Sequence, residues 1–289
     1  MESLLEEESI EAVSVCVANS AHAEVTIQAL RHGKHVLCEK PMAVTLEDCQ
    51  KMVKAAEESG KCLMIGQNQR FAKAHQEAKR LLEDGVIGDI ITFRTAFGHQ
   101  GPEAWSVDGK KDNWFFDKHR AVMGAMADLG VHKTDLIRYL LDQDIVETTA
   151  KVVTLDKRDS QGSLIGVDDN AVCIYQMANG VLGTMTASWT YYGAEDNSTI
   201  LYGTKGIMRI YDCPEYSIQV EKRTGERVFY QIDQIQTNDN QTKSGIIDAF
   251  VEAAVKKQDP PVSGKDVWNT MKAVFASVKS SEKGMSVKV

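Results

Sequence analysis

The chain has 289 residues, 43% of them hydrophobic and 26% charged, with a formal net charge of −8. This is ordinary globular composition, enough for one large or two modest domains, and it excludes a disordered chain. There is no basic block and no apolar run near the roughly 18 residues of a membrane span, so the expected partner is a small molecule or another protein, not nucleic acid or a membrane. Six cysteines (Cys16, Cys38, Cys49, Cys62, Cys173, Cys213) are scattered without a C-x-x-C, as buried free thiols are in a reducing compartment. The opening Met1-Glu2-Ser3-Leu4-Leu5-Glu6-Glu7-Glu8 is acidic where a signal peptide is basic, and the expected location is cytoplasmic.

Val13 to Val17 reads as a strand, followed by Asn19-Ser20 and a helix whose apolar positions Val25, Ile27, Ala29 and Leu30 precede a capping Gly33. Val36-Leu37-Cys38 is apolar without alternation, the pattern of a strand buried on both faces of a parallel sheet, so Glu39 and Lys40 emerge at its carboxyl end. Pro41 fixes its own φ and keeps Lys40 out of the helical region, which sets the amine on a rigid bend. A surface lysine in a strand-to-helix turn is the plain alternative. Thr45, with Asp48 three residues on, caps a second helix ended by Gly60. A third strand, Cys62 to Ile65, delivers Gln67, Asn68 and Arg70 beside Glu39 and Lys40 if the strands are parallel neighbours. The reading is βαβαβ with right-handed crossovers. No G-x-G occurs anywhere, so the phosphate-binding turn of a dinucleotide-binding fold is not encoded.

After a helix carrying Ala78, Leu81 and Leu82, the pattern changes to long alternating strands: Ile90–Phe97, Thr149–Leu155, Ala171–Met177, Val181–Trp189, Thr199–Leu201, Ile207–Tyr211, Ile218–Glu221 and Val228–Ile232. A largely antiparallel second domain follows from them. Two helices close the chain, one capped by Ser244 and one beyond Pro260-Pro261.

Between the first two long strands lies the run from Gly124 to Asp135. On a helix, Asp128, His132 and Asp135 share one stripe and reach one target, and a histidine beside a carboxylate makes a usable general base. The alternative is a solvated face with an Asp–His pair. Gly130 early in this helix suggests close approach of backbone or ligand. No further ligand stands at metal-site spacing, so no metal is expected.

Glu39-Lys40-Pro41 after a His22-containing βα turn, the run Gly124 to His132, and Leu201-Tyr202-Gly203-Thr204-Lys205-Gly206 resemble the glucose-fructose oxidoreductase and inositol dehydrogenase family, the Gfo/Idh/MocA oxidoreductases. Ala18 and Ala125 depart from the family's usual proline and glycine. The resemblance implies an α/β chain: a partial Rossmann unit over residues 1–70, lacking the N-terminal half of that domain, then a substrate and oligomerisation α+β domain with a large open, mostly antiparallel sheet over residues 71–289. It implies hydride transfer between NAD or NADP and a secondary alcohol of a sugar or cyclitol. Lys40 would orient the reacting hydroxyl, His132 would take its proton, and Asp128 would fix substrate and His132. Glu39 would meet the nicotinamide ribose, and Asn19, His22, Gln67, Asn68, Arg70 and Trp114 would line the cofactor and substrate pocket. Arg94, His99, Gln100, Glu103 and Trp105 are candidates for reading hydroxyl patterns. The expected assembly is a homodimer or homotetramer packed sheet against sheet, with Trp189, Tyr191 and Tyr192 serving that face or a substrate wall. Because the phosphate turn is not encoded, the chain is expected to be a truncated version of a longer enzyme. The alternative function is a non-catalytic sugar-binding or assembly module.

Overall fold

A computed structural model describes residues 2–106, 113–235 and 243–289. After a short helix α1 (Glu2–Glu6), the first unit is β1 (Ala12–Val15), α2 (His22–Arg31), β2 (His35–Cys38), α3 (Leu46–Ser59) and β3 (Leu63–Ile65). The three strands form one parallel sheet in the order β1-β2-β3, as the buried apolar runs of β2 and β3 require. Thr45 accepts from the Asp48 N–H and Gly60 takes the left-handed conformation, so α3 begins and ends where its caps dictate. β1 is less buried than its sequence suggests: its residues alternate, and Val17 beyond it is 42% exposed.

Helix α4 (Lys73–Glu83) leads into the larger sheet: β4 (Ile90–Gly98), β5 (Ile145–Val153), β6 (Asn170–Met177), β7 (Leu182–Ser188), β8 (Thr199–Gly203), β9 (Gly206–Ile210), β10 (Ile218–Lys222), β11 (Arg227–Tyr230) and β12 (Val287–Lys288). Its order is β11-β10-β9-β8-β4-β7-β6-β5-β12, antiparallel except for the parallel β4–β7 pair. α5 (Val131–Leu141) joins the sheet's first and second strands in sequence, and α6 (Ile246–Lys256) and α7 (Gly264–Lys283) follow its last long strand. Gly245 in the left-handed conformation, not Ser244, stands at the start of α6; Ser263, which accepts from the Asp266 N–H, caps α7. α7 packs on β5, α3 and α5, so it ties the two sheets together.

The solvated-face reading of α5 fails. From Met126 to Arg138 every residue is buried, because sheet covers one side and helices the other. The charged side chains of α5 are therefore paired internally. Asp135 takes a bidentate contact from Arg70 at 2.6 Å and a hydrogen bond from Thr270, while Arg138 meets Asp144 and Asp266. Arg70 also reaches Asp266 at 2.6 Å. Asp135 is thus part of a buried ion-pair network and does not share a target with Asp128 and His132. Gly130 gives way to packing, not to a ligand: a Cβ there would sit 2.7 Å from Met126 Sδ and 3.4 Å from Met185 Cε.

Several histidines are buried as neutral rings. Burial, reinforced by the Lys133 charge, pushes His75 down to about 3, and burial lowers His22, His99 and His132 as well. Groups held below their unfolded pKa bind more protons when the chain unfolds. Their stabilisation is complete above about pH 6.5 and is lost as pH falls from there toward 3. We expect the unfolding free energy from urea titrations to decline across that window, and His75→Gln to flatten part of the slope; an unchanged slope would show that His75 is not among the groups responsible.

Candidate active site

Lys40 follows β2 by two residues, on the bend set by a cis Lys40–Pro41 peptide. His22, at the start of α2, brackets that bend: its Nδ1 lies 2.7 Å from the Pro41 carbonyl and its Nε2 3.1 Å from the Val17 carbonyl. A neutral ring donates to only one of these, and the shorter contact is the stronger. Asn19, in the loop between β1 and α2, donates through its amide to the Ala121 carbonyl at 3.2 Å.

Asp128 arrives from the other unit. It lies in a single π-helical turn, Met126–Gly130, where the Val131 N–H reaches back five residues to the Met126 carbonyl before α5 begins. Such turns rephase the side chains around them, which the even spacing of Asp128, His132 and Asp135 does not reveal. Asp168 holds the start of this turn: its carboxylate accepts from the Gly124 and Met126 N–H groups, both at 2.7 Å. Burial pushes Asp168 up to about 6, opposed by those two donors. A Cβ on Gly124 would stand 1.9 Å from the Asp168 carbonyl, so only glycine fits there.

The two units meet at the Lys40 ammonium, which donates to Asp128 Oδ1 at 2.7 Å and to the Asp128 carbonyl at 2.8 Å. Trp189 Nε1 donates to the other carboxylate oxygen at 3.0 Å. Burial would raise the Asp128 pKa, but the charge of Lys40 and the bonds from Lys40 and Trp189 win, and it falls. Asp128 therefore fixes the amine; its carboxylate oxygens face Lys40 and Trp189 and not His132. Trp189 is fully buried and belongs to this support, not to a sheet face.

Lys40, Asp128 and His132 line one cavity of about 700 Å³ with Glu39, Asn68, Gln69, Phe97 and His99. His132 is 6% exposed, and its Nδ1 has no hydrogen-bond partner among the described residues. Burial and then the Lys40 charge hold its pKa well below the ordinary histidine value, so the ring is neutral with a lone pair available. Among the described residues no group of three His, Cys, Asp or Glu side chains is arranged for a metal ion.

The other sequence candidates divide. Glu39 and Asn68 stand on the cavity wall, and Gln67, 1% exposed, lies just beyond β3 with neither amide atom partnered among the described residues. Asn19 and His22 act on the loop behind the cavity. Arg70 is drawn away from the wall by Asp135 and Asp266, a use of arginine that sequence does not distinguish from ligand binding. Trp114 stacks on Phe115 with ring centres 3.9 Å apart and under the Arg120 guanidinium, off this cavity's wall. Of the proposed hydroxyl readers, His99 lines the cavity, whereas Glu103 pairs with Lys157. Sequence reading missed Gln69, Asp168 and the structural use of Trp189, since each acts through a contact distant in the chain.

Residues 1–67 match the family model described as an oxidoreductase family with an NAD-binding Rossmann fold, and residues 75–209 match the GFO/IDH/MocA C-terminal domain. The chain is 30% identical over 222 residues to a levoglucosan dehydrogenase of Pseudarthrobacter phenanthrenivorans, an alignment covering 71% of this chain and 56% of that protein. It is 25% identical to the myo-inositol 2-dehydrogenase of Thermotoga maritima, covering 99% of this chain and 82% of that one. A solved levoglucosan dehydrogenase in complex with NADH and levoglucosan superimposes with a TM-score of 0.86 at 26% identity, over 99% of this chain and 82% of the other. The fold, the shared cavity and these matches agree: the chain belongs to the Gfo/Idh/MocA family of NAD(P)-binding oxidoreductases.

Proposed function

We propose that the protein oxidises a secondary alcohol of a sugar or cyclitol, or reduces the corresponding ketone, with Lys40, His132 and Asp128 as its working groups. The observation that carries this reading is the shared cavity: a cation and a neutral imidazole from different units face the same space. Glu39, Asn68 and Gln67 would hold the nicotinamide end of the cofactor, which supplies the hydride acceptor or donor. Two of the three ammonium hydrogens of Lys40 are engaged by Asp128, which leaves one for the substrate oxygen. That hydrogen bond, with the charge behind it, stabilises the oxygen as it becomes alkoxide-like. His132 takes the hydroxyl proton in oxidation and returns it in reduction.

Lys40→Ala and His132→Ala should each lower turnover on a sugar and cyclitol panel by about 10² to 10⁴-fold with melting temperatures near wild type. Wild-type rates in both would remove the mechanism, and polyol binding without turnover with either NAD or NADP would assign the chain a binding role instead. His132 must be neutral to act as a base, so activity is lost as pH falls through its depressed pKa. The acid limb of kcat/KM should therefore lie below the ordinary histidine value of about 6.5; a limb above it would count against His132.

The outward face of the larger sheet carries Val172, Ile174 and Leu182, each at least half exposed, beside Thr184 and Thr186 on adjoining strands. An apolar face of this kind is commonly an interface, and it supports a homodimer or homotetramer packed through the sheet. Light scattering should give a mass that is a multiple of the monomer and that drops on Ile174→Lys. The described residues include no helix long and apolar enough to cross a membrane. The six free cysteines support a cytoplasmic location.

A further inference from the structure

Lys133 follows His132 on α5 and has no accessible surface. Its ammonium donates to the Asn197 carbonyl at 2.9 Å and lies 5.9 Å from the centre of the Phe97 ring, with no ion pair among the described residues. Burial pushes this amine down to about 7, with the charges of Asp196 and Glu195 holding it up. The bond to Asn197 survives either protonation state, since a neutral amine still donates. Burying a lysine without a paired carboxylate is costly, and methionine would fill similar space at less cost. Packing alone therefore does not account for Lys133.

What it holds is a route to the cavity. Asn197, 4% exposed, accepts from Gln69 Nε2 through its Oδ1 at 3.3 Å, while Asn197 Nδ2 and Gln69 Oε1 have no partner among the described residues. Two amides joined by one hydrogen bond leave each with a free polar end, whichever way they are turned. Gln69 lines the same cavity as Lys40 and His132. Its backbone is fixed from the other side by His75, whose Nδ1 bonds the Gln69 carbonyl at 2.7 Å.

We propose that Lys133 is a positioning residue that, through Asn197, holds Gln69 against the cavity, where the free amide end of Gln69 reads a substrate hydroxyl. The inference rests on the sugar or cyclitol reading of the site. The substrate thereby carries a hydroxyl that meets Gln69, and an analogue lacking it is discriminated against because the Gln69 amide is left unpaired.

Lys133→Met, Gln69→Leu and the double variant are compared with wild type on the best substrate of a monosaccharide and cyclitol panel. Each single change should raise KM about tenfold with kcat within about twofold, as loss of one neutral hydrogen bond to substrate predicts. The double variant should raise KM no further than Gln69→Leu alone, because both act on one contact. Asn197→Ala keeps the carbonyl that Lys133 bonds but removes the amide that holds Gln69; it carries the same expectation and serves if Lys133→Met fails to fold. A KM unchanged in Lys133→Met and Asn197→Ala, or effects that multiply in the double variant, overturn the positioning role and leave the reading of Lys40 and His132 intact. A wild type that turns over no member of the panel overturns both.

Discussion

The Lys40–Asp128 pair is the contact on which the site depends, because it is where two separately built units agree on a position. Lys40 stands beyond a strand of the parallel sheet, and Asp128 stands on the turn before α5 of the larger unit. Free in solution, a lysine side chain explores rotamers whose loss costs on the order of 2 kcal/mol. Here the cost is met by two hydrogen bonds to one residue, a carboxylate and a carbonyl, with Trp189 holding the carboxylate from behind. The amine is left with one direction in which to donate, and that preorganisation is what electrostatic catalysis at an oxygen requires. With side-chain exposures of 20% and 9%, the pair is shielded enough for the attraction to matter without carrying the full penalty of a buried pair.

The same pair sets the state of the imidazole. Lys40 lowers His132 by its charge, after burial has done most of the work, while Asp128 acts in the opposite direction. A buried histidine beside a cation stays neutral, and a neutral ring is the form that takes a proton. In the proposed mechanism Lys40 thus serves the oxygen directly and the base indirectly.

Much of this was legible in the sequence where the cause is local. The apolar runs of β2 and β3, the Thr45 cap and the Gly60 stop depend on neighbours within a few residues, and the strand end with Glu39 and Lys40 followed from them. The alternating strands of the larger sheet were readable for the same reason, to within a few residues at their ends. What failed was inference about burial from one element alone. The stripe of Asp128, His132 and Asp135 looked like a common face, yet one π-helical turn separates Asp128 from α5 proper, and Asp135 answers to Arg70 across 65 positions. Arg70 looked like a ligand group for the converse reason: a buried arginine in an ion pair and an arginine facing a phosphate read alike until their partners are placed. Asp168 gave no signal either, since a capping carboxylate 44 residues from the N–H it accepts has no local pattern.

The ion-pair network behind α5 also bears on the chemistry. Asp266 near the start of α7 accepts from Arg70, just beyond β3, and from Arg138 on α5, so one carboxylate holds elements of both units. Lys40 and His132 belong to those two units, and their separation is set by how the units dock. A change at Arg70 or Asp266 would alter a distance inside the cavity without touching it, and misplacement by about 1 Å costs roughly a hundredfold when reacting atoms must be held in contact. On the proposed mechanism Arg70 therefore acts through architecture, by fixing where the amine and the imidazole stand relative to one another.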